Sequence, residues 1–161
     1  MASGLLGVGT TEGAAPTNTR YDPIRHLAAL GISIFWIDHK LNGTKAVVRQ
    51  RENLLLVQRN ITMTEFAEHA TRALARLKTP DDASAALLAA QRLLPLDRLA
   101  LALAINDSGP NATALALGVS TTTLRLRLDT LTAIERGHLA RDMSRVQRDC
   151  GNSACPRLQA G

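Results

Sequence analysis

Side chains able to do chemistry are thinly spread in this chain, and their spacing says more than their number. His26, His39, His69 and His138 include no pair at the separation that puts two imidazoles on one helix face around a metal. Cys150 and Cys155 with His138 offer three zinc ligands, but a structural zinc site takes four, and the cysteines lack the common two-residue knuckle spacing. Asp38-His39 has the residue types of an acid–base pair, yet neighbours on a strand point to opposite faces. Asp81-Asp82 reads as helix-start chemistry, with carboxylates at the positive end of the dipole. No nucleophile elbow, phosphate-cradling glycine loop or repeated acidic motif occurs. These residues imply no enzyme, no cofactor and no metal site.

What remains is cationic. The 161 residues carry a net charge of +5, unevenly placed. Residues 1–60 hold seven basic and four acidic groups, residues 61–120 five and six, and residues 121–161 seven and four. Arginine supplies most of the positive charge, and its planar fork suits phosphate and guanine. Binding phosphates with such groups releases counterions and gains affinity. An Arg-, Ala- and Leu-heavy composition also follows from the base composition of a genome, so charge admits a nucleic-acid partner without selecting one.

The elements that must present this charge centre on residues 109–131, GPNATALALGVSTTTLRLRLDTL. Two short helices are expected there, hinged at Gly118-Val119-Ser120. Ala114 is small enough to let them touch, Gly118 tolerates the left-handed backbone of a sharp turn, and Ser120 caps the second helix through the amides of Thr122 or Thr123. Leu115, Leu117, Val119, Leu124 and Leu128 are expected to close a small core across the turn. This is the layout of a helix-turn-helix, whose second helix lies in a DNA major groove.

The run LGVSTTTLRLRL resembles the C-terminal DNA-binding unit of Fis-type bacterial proteins and of the sigma-54-dependent activators that share it. The matching positions are Leu117, Gly118, Val119, Ser120, Thr123, Leu124 and Leu128, and the likeness covers roughly residues 109–132. It departs at Thr121 and Thr122, where the family usually has Arg or Lys, and at Leu126, normally polar or basic. The resemblance implies DNA contacts from Ser120, Thr121, Thr123, Arg125 and Arg127; Thr122 and Leu126 on the same helix are expected to join them, Leu126 meeting thymine methyls or packing on a neighbouring helix. It also implies a dimer holding two recognition helices one DNA turn apart.

Around this unit the sequence predicts an α+β, mostly α chain. Residues 1–20 and 149–161 read as disordered tails, 21–78 as a β-meander plus helix module, and 79–148 as a helical domain containing the helix-turn-helix. A short helix is expected from Pro23 to Leu30. Strands are expected at Ile32–Ile37, Lys45–Gln50 and Asn53–Arg59, joined by an Asn42-Gly43 hairpin into a small antiparallel meander. Thr62 and Glu65 form a capping box before an apolar face of Phe66, Ala70, Ala73, Leu74 and Leu77. Thr79 is the expected cap of the next helix, with Pro80 in its first turn. Pro95 breaks that helix from Leu96–Ile105, and the last helix is expected to run from the recognition helix toward Arg148, with Gly137 a kink or stop.

The Ala- and Leu-rich stretch 83–105 carries more apolar surface than one thin layer hides, which predicts a homodimer. Lys40, Lys45, Arg49, Arg51 and Arg59 surround Phe35 and Trp36. They serve either as protection of a sheet edge or, with the sheet as a whole, as a partner surface. No export or membrane signal is evident, so the expected location is the cytoplasm, associated with the nucleoid. Two functions fit: a sequence-specific bacterial or phage regulator binding double-stranded DNA, or an adaptor to a protein such as RNA polymerase or a phage or plasmid component.

Overall fold

Asp22 and Pro23 set the start of the first helix. The Asp22 carboxylate accepts from the amides of Ile24 and Arg25 at 2.8 and 3.3 Å, and Pro23 sits in the first turn, where its missing N–H costs nothing. Helix α1 (Pro23–Ala29) follows and buries Leu27. The computed structural model describes residues 20–106 and 108–152. Residues 1–19, 107 and 153–161 lie outside the described residues, and with them Cys155 and most of the tails expected at 1–20 and 149–161.

Strands β1 (Ser33–Ile37), β2 (Ala46–Arg49) and β3 (Leu54–Gln58) lie where the alternation predicts, but not as a meander. The order is β1-β3-β2, with β1 parallel and β2 antiparallel to β3. Asn42-Gly43 does turn, with Gly43 at φ +70° between the bridged Leu41 and Thr44, yet this turn lies within a connection. The true hairpin uses the 3-10 turn Gln50–Glu52 and Asn53, held at φ 51°. Burial explains the order. Leu55 and Val57 are 0% exposed, and the strand with most to hide takes the only position flanked on both edges.

Helix α2 (Met63–Arg76) lies across one face of this sheet. Its capping box forms as the spacing predicts: the Thr62 amide donates to Glu65 Oε2 at 2.9 Å and the Glu65 amide to Thr62 Oγ1 at 3.1 Å. Phe66, Ala70, Ala73 and Leu74 then pack on Leu55, Val57, Ala46, Leu27 and Ile32.

The rest is helical: α3 (Asp82–Leu93), α4 (Leu96–Ile105), α5 (Pro110–Leu117), α6 (Thr121–Asp129) and α7 (Ala133–Asn152). Asp81, not Thr79, caps α3, accepting from the Ser84 amide at 2.7 Å, because a carboxylate answers the helix dipole better than a hydroxyl. The recognition helix also ends sooner than expected. Thr132 and Glu135 form a second capping box, amide to Oε2 at 2.9 Å and amide to Oγ1 at 3.2 Å, so α7 starts afresh. It then runs through Gly137 and takes up residues 149–152, expected as tail.

Helix α4 is almost engulfed: Arg98, Leu99, Ala100, Leu101 and Ala102 are all buried, with α5 and α7 packed against it. Ala85, Ala89, Ala90 and Leu93 of α3 are buried too, in a helix packed between α2 and α6. The apolar surplus expected to cover a second copy is therefore consumed inside one chain, which removes the argument for a dimer drawn from it. Among the described residues no helix is long and apolar enough to cross a membrane.

Candidate nucleic-acid interface

The turn between α5 and α6 has the geometry its residues call for. Gly118 sits at φ 63°, ψ 39°, and its amide donates to Leu115 O at 3.0 Å while the Val119 amide donates to Ala114 O at 3.0 Å. Those two bonds make a Schellman close, which satisfies carbonyls that would otherwise be orphaned. Ser120 Oγ accepts from the Thr123 amide at 3.2 Å and caps α6. Leu117, Val119 and Leu124 are buried and Leu128 packs partly against them. Leu115 departs from the expected core and points outward, 82% exposed.

Two buried arginines fix this unit to the corner between α3 and α4. Arg98 donates to Leu117 O at 3.0 Å and Leu93 O at 3.5 Å. Burial, with the Arg20 charge beside it, pulls its pKa below the usual arginine value. Arg127 donates to Leu94 O at 3.2 Å and to Glu135 Oε1 at 2.8 Å.

The second of these corrects the sequence reading. Arg127 was expected to contact DNA, but its side chain is 3% exposed and its charge is already answered, so it is structural. The hydrogen bonds from Arg127 and Thr132 hold the Glu135 carboxyl at about 2. Of the other expected contacts, Thr122 and Arg125 are exposed, while Ser120, Thr121, Thr123 and Leu126 are half-buried. Thr122, Thr123 and Leu126 form one wall of a cleft of about 180 Å³ whose opposite walls are α2 and α3. From α2, Glu68 Oε1 accepts the Ser120 amide at 2.5 Å, which sets a carboxylate at the N-terminus of α6. His69 lies in the same cleft, its pKa lowered by burial and by Lys45.

The structure adds cations that residue-by-residue reading missed. Arg141, Arg145 and Arg148 are exposed and line one shallow groove on α7, opposite the face that buries Leu139. Their spacing of four and three residues is the signal for a shared helical face. Glu68, 52 residues from its partner Ser120, had no such local signal. Among the described residues no three His, Cys, Asp or Glu side chains converge as a metal site. Comparison of the chain with protein-family models, curated proteins and solved structures finds no match.

Proposed function

We propose that this chain is a DNA-binding regulator of bacterial or phage type, using the α5–α6 unit as its helix-turn-helix. One observation carries the reading: a left-handed Gly118, its Schellman close and the Ser120 cap together present α6 with Thr122 and Arg125 facing outward. On this reading the likeness of residues 109–132 to Fis-type units reflects a shared role, and a homodimer would set two α6 helices about 34 Å apart on DNA. The outward face of α6 carries one cation, Arg125, and one exposed carboxylate, Asp129. Most of the phosphate grip therefore falls to the arginines of α7, and a cytoplasmic, nucleoid-bound location accompanies the role.

Anisotropy of labelled duplex DNA tests this. Affinity is expected to fall by an order of magnitude or more between ~50 and ~200 mM salt. Arg125→Ala should cost on the order of 1–3 kcal/mol if it reads a base edge, and Arg141→Ala with Arg145→Ala should flatten the salt slope. Binding insensitive to salt and to all three changes would remove DNA from the account.

A second reading is favoured by Glu68 at the start of α6 and by the burial of Arg127. Both subtract from DNA attraction, and both suit an adaptor in which the helix-turn-helix is a packing device and RNA polymerase or another protein is the partner. Retained partner binding with no DNA affinity would support it.

A further inference from the structure

The cleft between α2, α3 and α6 keeps two opposite charges apart. Glu68 and Arg72 lie one turn apart on α2, where such charges ordinarily meet, and both line this cleft. They form no ion pair with each other, because each is held by a different partner. Glu68 Oε1 accepts the Ser120 amide, and an Arg72 terminal nitrogen donates to Asp82 Oδ2 at 2.8 Å. Arg72 Nε remains buried, with no hydrogen-bond partner among the described residues. A buried guanidinium N–H without an acceptor costs free energy that the oxygen of a ligand recovers.

The rest of the lining divides by chemistry. Ala86, Ala89 and Leu93 of α3 and Leu126 of α6 make it apolar on the side away from α2. His69 adds no charge near neutral pH, since burial and the Lys45 charge hold its pKa below the ordinary 6.5. One carboxylate and one cation are left, and the lining is neutral as a whole.

We propose that this cleft binds a free aliphatic α-amino acid. Glu68 receives the ammonium, Arg72 the carboxylate, and the alanines and leucines the side chain. A zwitterion answers both charges at once. A simple anion meets Glu68 and a simple cation meets Arg72, each a like-charge contact with a cost. Size sets the other limit. About 150 Å³ encloses a benzene molecule, so a cleft of about 180 Å³, open beside the exposed Thr122, admits roughly six to nine non-hydrogen atoms. Alanine, valine and leucine fall in that range, while peptides and nucleotides do not. Neither the charges nor the cleft depend on α6 entering DNA, so binding is measured without it.

The test is calorimetric titration of the full chain with alanine, valine and leucine. At least one is expected to bind with a Kd below ~1 mM. For the one that binds best, its amide, which lacks the carboxylate, and its deaminated acid, which lacks the ammonium, should each bind about tenfold or more weakly. Glu68→Gln keeps an acceptor for Ser120, and Arg72→Lys keeps a cation for Asp82 but removes Nε. Each should weaken the amino acid about tenfold or more. Ala86→Leu fills the cleft, leaves both charges in place and should abolish binding, so the result stands even if Arg72→Lys unfolds. No binding of any of the three at ~10 mM overturns the proposal. So does an amide or a deaminated acid that binds as tightly as the amino acid, or affinity unchanged in both Glu68→Gln and Ala86→Leu.

Discussion

Arg127 shows how one side chain reverses meaning between sequence and structure. In the run Leu124-Arg125-Leu126-Arg127 the two arginines look equivalent, but two residues apart on a helix they differ by about 200°. Leu124 is fully buried, so Arg127, three residues on, shares its inward side and Arg125 does not. Once inside, a guanidinium must find acceptors or lose far more in desolvation than it gains, and it finds Leu94 O and Glu135. Replacing it with alanine strands that carbonyl and leaves a void. Arg127→Ala is expected to lose roughly 2–4 kcal/mol of stability in urea titrations, more than Arg125→Ala, which should stay within about 0.5 kcal/mol. Equal effects for the two would mean Arg127 is not held as described.

At the level of elements, helix ends were the most legible part of the sequence and strand order the least. A capping box is a local chemical event, and Thr62 with Glu65 was readable from spacing alone. Thr132 with Glu135 carries the same signature, but a helical pattern continuing past Leu131 through Ile134 toward Arg148 suggested one unbroken helix. The sheet was harder because Asn42-Gly43 is a strong local turn signal, and no local rule says that a turn must join partners. Pairing was decided by how deeply Leu55 and Val57 could be buried, which depends on the whole sheet and α2. Both boxes have a consequence in acid. Lys45 and the Thr62 amide, and likewise Arg127 and Thr132, bring Glu65 and Glu135 from an ordinary 4.5 to about 2. A carboxyl lowered on folding gives stability that is fully present above its unfolded value and is lost as pH falls through the folded one. Thermal melts should therefore show stability draining between about pH 4.5 and 2. The slope should be shallower in Glu135→Gln, and an unchanged slope in that variant would contradict the assignment.

Across the whole molecule, α2 is the shared wall. Phe66, Ala70 and Leu74 belong to the core under the sheet, while Ala67 belongs to the core around α4. Glu68 on the same helix reaches the amide of Ser120, the cap residue of α6, so the N-terminal module and the helix-turn-helix are joined by a charge as well as by packing. If the start of α6 meets a phosphate, that carboxylate opposes it. Glu68→Gln keeps an acceptor for Ser120 but drops the charge, and should tighten duplex binding roughly two- to fivefold. An unchanged or weakened affinity would mean that α6 does not approach the backbone by its N-terminus.

The position of β3, last of its sheet in sequence and central in space, also bears on how the chain is made. A ribosome releases β1 and β2 first, and neither has a ladder to join until residues 54–58 emerge. Through that interval Phe35, Trp36 and Val47 are presented to chaperones and to other nascent chains. A stop codon between Arg49 and Leu54 would leave two orphaned strands rather than a smaller sheet.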